Sequence, residues 1–358
     1  MLKESPCIKV PKKDGENTLA LVRKLGIYDK TLQIVKNSQA GILYIPLTRK
    51  PTDSELSRLK AELPELQLST HFFTEKTRQE KNLIDLLDDQ LPPHLLASLP
   101  RALDIVGDIA IIEIPPELEP YKVLVGEAVL KMHRNLKTVL AKVGAISGIY
   151  RLRRVEYLVG ENKTETIHKE YGCSYYVDVT KAYFSPRLSS EHWRVASLVK
   201  SGEIVVDLFA GVGPFAIPIA KSNPDARVFA IDINPDAVEY LKKNLKLNKV
   251  ENHVIPLVGD ARKIVYDQLS GVADRVIMNL PETAHEFIDV ACNAIKSSCG
   301  IIHYYGFVRA PDTIESFQQR FCDAVEKAGR KVAQFNYVKT VRETAPYEWQ
   351  VVLDAKIL

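Results

Sequence analysis

Four residues with reactive or ligand-binding side chains follow four short apolar runs. Asp207 closes EIVVD, Asp232 closes RVFAID, Asp260 closes HVIPLVGD, and Asn279 follows RVIM. Strands of this kind place their carboxyl ends at the mouth of an open α/β sheet, where ligands bind. After Asp207 the chain turns through Ala210-Gly211-Val212-Gly213. Glycines there let the backbone approach a ligand, or serve only tight strand–helix packing. Pro214, Phe215 and Ala216 follow, so the pattern departs from the G-x-G-x-x-G dinucleotide fingerprint and speaks against a bound pyrophosphate.

Three carboxylates at successive strand ends welcome a cationic, amino-bearing ligand with a ribose and no phosphate. S-adenosylmethionine fits that description. Asp232 stands where a carboxylate binds a ribose hydroxyl pair, and Asp260 can accept from an adenine amine. Phe209, Gly211, Gly213 and Ala261 are placed with them in the cofactor set, and Asn279 borders it. The Asn279 amide both donates and accepts, which suits the edge of a planar base. Pro281 ends strand pairing and stiffens the turn presenting Leu280, a role compatible with starting the next helix.

Strand–helix alternation from about residue 180 predicts a doubly wound sheet. The fold class expected is α/β: a Rossmann-like class I methyltransferase domain (179–358) preceded by two smaller α+β domains. The first spans 1–70, a linker 71–82, and the middle domain 83–178. The 358 residues are 46% hydrophobic and 26% charged, with a net charge of +3, as in ordinary globular proteins. No apolar run reaches the roughly 18 residues of a membrane span, and the N-terminus lacks the apolar core of a secretory signal. Five scattered cysteines (7, 173, 292, 299, 322) form no CxxC pair, so reduced thiols in the cytoplasm and no metal site are expected. Charge is uneven: Lys131, Arg134, Lys137, Lys142, Arg151, Arg153 and Arg154 lie in a stretch without an acid. This reads either as a phosphate-facing surface or as a solvated face whose acids come from elsewhere.

FAGVGPF, AIDINPDA, MNLPETAHEF, IIHYYGF and the block YRLRRVEYLVGENKTETIHKEYGCSYYVDVTKAYFSPRLSSE (150–191) resemble the archaeal and eukaryotic tRNA (guanine-37 N1)-methyltransferase family. The resemblance covers most of 80–358 and, more loosely, the first 70 residues, which match the family's tRNA-elbow-binding domain. It implies that Glu191 is the general base removing the guanine N1 proton and that Arg151 stabilises charge on O6. Asn279 would hold the base, with Tyr183 and Pro281 shaping the pocket. The implied partner is tRNA with guanine at position 37, bound by a monomer through the first domain and the basic stretch, with no protein partner and no membrane. The family's usual Glu-Arg is here Glu191-His192-Trp193-Arg194, displacing the arginine.

Other readings are weaker. A sister branch methylates carbon on a wyosine precursor and tends to lose the Asn-Leu-Pro and FAGVGP wording kept here. Amino-purine N6 methylases need an aromatic after the proline turn, where this chain has Glu282. C5 methylases need a nucleophilic cysteine, and Cys292 and Cys299 fall too far beyond Pro281. A non-catalytic RNA-binding protein with the same fold would have no use for the intact carboxylates.

Overall fold

A computed structural model describes residues 2–37, 41–75, 82–144 and 148–358. The chain divides into two compact units, Met1–Lys81 and Asn82–Leu358.

The first unit runs β1 (Leu2–Pro11), α1 (Gly15–Lys24), β2 (Val35–Asn37), β3 (Ile42–Pro46), α2 (Asp53–Glu62) and β4 (Gln67–Thr74). Its sheet has the order β2-β3-β1-β4 and is antiparallel. Gly26, at φ +68, ends α1. Thr52 starts α2 with a capping box to Glu55. Val22, Leu59, Ile8 and Ile45 close a core of their own. The start of the linker expected at 71–82 is corrected here. Through Thr74 its residues form β4, paired with β1 and anchored by buried Phe73. Residues 76–81 of that expected linker lie outside the described residues.

The second unit begins with α3 (Leu83–Leu87), α4 (Pro93–Ala97), β5 (Leu103–Val106), β6 (Ile109–Ile112), α5 (Lys122–Met132), β7 (Thr138–Lys142) and β8 (Val155–Gly160). These strands form a sheet ordered β5-β6-β7-β8. A hairpin of β9 (Glu165–Glu170) and β10 (Cys173–Asp178) follows.

The remaining elements are α6 (Ser189–Leu198), β11 (Ile204–Asp207), α7 (Ala216–Ser222), β12 (Arg227–Asp232), α8 (Pro235–Asn248), β13 (Val254–Val258), α9 (Ala261–Ile264), β14 (Arg275–Met278), α10 (Ile288–Ala294), β15 (Gly300–Arg309), α11 (Ile314–Lys327), β16 (Val332–Ala345) and β17 (Glu348–Ile357). Their sheet has the order β13-β12-β11-β14-β15-β17-β16. The first five strands are parallel, and β17 and β16 pair antiparallel. The strand order reverses beside β11, which makes the topological switch point a ligand crevice.

Leu87, Val125 and Val139 form a core within residues 83–158, but a second apolar cluster crosses the 178/179 boundary. Val106, Ile109 and Leu140 of the smaller sheet and Tyr175 and Val177 of the hairpin share one apolar cluster with Val205, Phe215 and Leu241. The opposite face of the large sheet packs on α10 and α11. There Phe321 lies against Tyr304, ring centroids 4.9 Å apart. Phe321→Ala is expected to lower the unfolding free energy of this unit by about 3–5 kcal/mol, read as a reduced urea midpoint.

Candidate functional site

Elements β11 to β14 open on a cavity of about 470 Å³. Of the cofactor residues expected, Phe209, Gly211, Asp232, Asp260, Ala261 and Asn279 line it, as do Arg151, Tyr183 and Pro281 of the substrate set. Asp207, Gly213 and Glu191 do not.

Gly211 sits at φ +53, and its amide donates to Asp232 Oδ2 at 2.7 Å. Asp232 Oδ1 accepts from the Asn234 amide at 2.8 Å, so the carboxylate is fixed at the cavity edge by two backbone bonds. Burial pushes its carboxyl up, and those two amides oppose the rise. Asp232→Ala removes a charged anchor and the Gly211 tether together. The dissociation constant for S-adenosylmethionine is expected to rise about 10- to 100-fold, from the worth of one charged hydrogen bond, as isothermal titration would show.

Gly213 has another task. At φ +96, a Cβ there would stand 2.6 Å from Leu241 Cδ1 and 2.9 Å from Ile217 Cδ1. It packs the turn closely on α7 and α8, as the packing alternative expected, and lies outside the cavity lining. Asp260 is two residues beyond β13, with Gly259 between, and caps α9 through the Lys263 amide at 3.1 Å. Asp207 is fully buried, and Leu208 and Ala210 of the turn after it line the cavity. Burial raises its carboxyl to about 7, Phe209 N–H opposes this, and the Asp232 charge adds to it. Its Oδ2 has no hydrogen-bond partner among the described residues, nor does Asn279 Oδ1. Two buried acceptors without donors, beside two carboxylates at the cavity edge, suit a ligand that is cationic and rich in N–H and O–H groups.

Arg151 has φ +53 and holds Glu282 in a forked pair at 2.5 and 2.9 Å. Its guanidinium lies 5.9 Å from the Tyr183 ring, and Arg153 lies 5.3 Å from it. The basic stretch is therefore partly compensated by acids of other elements. Arg153 pairs with buried Asp104 at 2.9 Å, and Lys137 with Asp108 and Glu161 at longer range. Arg134 and Arg154 remain exposed.

Glu191 stands in the first turn of α6, buried. Arg194 Nε donates to its two oxygens at 3.1 and 2.9 Å, and Tyr305 Oη donates to Oε2 at 2.9 Å. The arginine displaced in sequence thus still meets the carboxylate, one helical turn on. Neighbours Leu188 and His192 line the cavity, so Glu191 sits behind its wall. His192 Nδ1 bonds Glu170 Oε1 at 2.7 Å. Sequence reasoning missed Ile233, His192, Glu282 and Phe287 as lining residues. Ile233 and Glu282 directly follow Asp232 and Pro281, a signal that was available. His192 and Phe287 are brought in by tertiary packing.

Residues 166–333 match the TRM5/TYW2 methyltransferase domain, 83–164 the TYW2 N-terminal domain, and 7–55 the tRNA methyltransferase 5 N-terminal domain. Over 98% of both chains, the sequence is 39% identical to tRNA (guanine(37)-N(1))-methyltransferase Trm5b of Pyrococcus abyssi. The chain belongs to the TRM5/TYW2 methyltransferase family. A crystal structure of the Pyrococcus abyssi Trm5b superposes with a TM-score of 0.75, 38% identity and 99% of each chain covered. A complex of aTrm5 with tRNALeu gives 0.70 at 33% identity, covering 98% of this chain and 99% of that one. The family also includes tRNA 4-demethylwyosine(37)-methyltransferase Taw21 of Saccharolobus solfataricus, 36% identical over 77% of this chain and 99% of that protein. Solved family members hold adenosine (Methanocaldococcus jannaschii Trm5) or AdoMet (its TYW2).

Proposed function

We propose that this enzyme transfers the methyl group of S-adenosylmethionine to N1 of guanine 37 in tRNA. The observation that carries the substrate is the N-terminal unit. Relatives named for guanine-37 N1 methylation in Pyrococcus abyssi and Methanocaldococcus jannaschii align over 98% of the chain. Those named for 4-demethylwyosine chemistry align over 62–77% of it.

S-adenosylmethionine, when bound, supplies a methyl carried on a sulfonium. Asp232 holds the ribose hydroxyls and Asp260 the adenine amine, while Phe209, Gly211 and Ala261 shape their surroundings. Asn279 takes the edge of the guanine, and Tyr183 and Pro281 confine it. Guanine N1 is a poor nucleophile while protonated. Its proton would pass to a carboxylate oxygen of Glu191, leaving the electron pair on N1 free to take the methyl group that S-adenosylmethionine would supply, with the sulfur keeping the carbon–sulfur pair. Arg151 exchanges Glu282 for guanine O6, where negative charge grows.

The first unit and the exposed arginines Arg134 and Arg154 contribute tRNA affinity. Removing residues 1–81 is expected to weaken tRNA binding at least about 10-fold, or roughly 1.4 kcal/mol, and to leave S-adenosylmethionine affinity unchanged; filter binding and calorimetry read the two. On this reading the enzyme works as a monomer in the cytoplasm. Among the described residues no helix is long and apolar enough to cross a membrane. The reaction itself is tested with labelled S-adenosylmethionine and two tRNA transcripts differing only in guanine or adenine at position 37. Label is expected in the guanine transcript alone, and equal label in both would overturn the assigned base.

A further inference from the structure

A chain of buried charged groups leads from Glu191 into the large sheet. We propose that Arg194 and Asp354 are positioning residues that make Glu191 the proton acceptor, an inference that rests on the reaction proposed above. Glu203 accepts from Arg275 Nε at 2.5 Å and Nη2 at 3.2 Å. Arg275 also donates to the Leu198 carbonyl and, at 3.3 Å, to His303 Nε2. A guanidinium only donates, so Nε2 is the accepting nitrogen and His303 carries its proton on Nδ1. That N–H donates to Asp354 Oδ1 at 2.7 Å. Asp354 also accepts from Arg194 Nη1 at 2.5 Å and Nη2 at 3.2 Å, and Arg194 Nε reaches Glu191. The Arg194 guanidinium lies on the Tyr337 ring at 4.2 Å.

The charge count along this chain is uneven. Glu203 and Arg275 balance, and His303 is neutral in this tautomer. Glu191, Arg194 and Asp354 then place one positive charge between two negative ones. His303 is fully enclosed, and Asp354 and Glu191 are nearly so. A net buried charge is costly for folding; among the described residues Arg194 is the cation bonded to Glu191, and Arg275, further along, is already balanced by Glu203. Arg194 of α6 and Tyr305 of β15 bond Glu191 directly; Asp354 of β17 and the Tyr337 ring of β16 lie on Arg194, and His303 of β15 and Arg275 of β14 follow beyond Asp354. The excess is discharged when Glu191 takes one proton, because Arg194 and Asp354 are left as a balanced pair. The N–H bond of guanine N1 is the source of that proton in the reaction proposed.

Opposite substitutions must therefore act oppositely. Asp354→Asn removes the excess negative charge, so the acid limb of the single-turnover pH–rate profile is expected to move to lower pH by roughly 1 unit, with a slower plateau. Arg194→Met and Tyr305→Phe withdraw donors from the carboxylate, and their acid limbs are expected to move to higher pH. Full-length enzyme, G37 transcript and S-adenosylmethionine are used throughout, with S-adenosylmethionine affinity as the check on folding. If Arg194→Met does not fold, the Asp354→Asn and Tyr305→Phe pair carries the same contrast. Limbs that stay in place, or move the same way in both variants, would overturn the proposal and leave these residues a structural role only. Wild-type enzyme that makes no 1-methylguanosine in the same assay would instead sink the reaction on which it rests.

Discussion

Glu191→Gln is expected to lower the single-turnover methylation rate about 100- to 10,000-fold, the usual worth of a positioned general base. Glutamine keeps the size of the side chain but cannot take up the N1 proton. Stability changes little, because Arg194 retains its pair with Asp354. S-adenosylmethionine affinity is expected to stay within about 2-fold, since Glu191 does not line the cavity and Asp232 is untouched. Rapid-quench measurement at saturating tRNA gives the rate, and calorimetry the affinity. A rate within roughly 3-fold of wild type would mean that another group accepts the proton. His192, which lines the cavity with its ring held by Glu170, would be the next residue to substitute.

The second large effect concerns Asp207 and pH. Its folded carboxyl titrates at about 7, against an ordinary 3.8, mainly because it is buried. Over that window the folded chain keeps a proton that the unfolded chain has released. Stability is therefore fullest at acid pH and falls as pH rises from about 4 to about 7, by roughly 4 kcal/mol at most for a shift of this size. A cation bound in the neighbouring cavity favours the ionised form of Asp207 and recovers part of that loss. The stabilisation produced by S-adenosylmethionine is thus expected to be larger at pH 8 than at pH 5.5. In Asp207→Asn the unliganded enzyme should lose most of this pH dependence, with a remainder from Asp232, whose carboxyl is raised in the same direction. Thermal midpoints with and without S-adenosylmethionine at the two pH values measure both effects. A ligand-free midpoint that does not fall between them would contradict the account of Asp207.

The strand-end part of the cavity lining was legible because its residues are local to strand ends. A strand's last side chains and the turn after it are set within a few residues, so Asp232, Asp260 and Asn279 could be placed from the alternation of apolar runs alone. The same local reading did not foresee that Gly213 falls outside the cavity lining. Its neighbours Leu241 and Ile217 come from two helices, and sequence spacing does not say whether a glycine faces a ligand or a side chain. The surroundings of Glu191 were out of reach for a different reason. Arg194 is three residues away, but Tyr305 lies 114 residues from Glu191 and Asp354 lies 160 from Arg194, and the two are brought to the site only through the register of β15 on β17. The basic stretch shows the same limit. Its compensating acids, Asp104, Asp108 and Glu282, come from other elements. Likewise β4 was read as linker because both its faces are largely exposed, so only Phe73 marks it as a strand.

Identification of the methylated nucleoside is the most direct measurement. Unmodified G37 transcript and tRNA carrying 4-demethylwyosine would each be incubated with S-adenosylmethionine and the enzyme, digested to nucleosides and separated by mass and retention. The account predicts 1-methylguanosine from the G37 transcript. A methyl group found only on the carbon framework of the wyosine precursor, with the G37 transcript left unmodified, would contradict it.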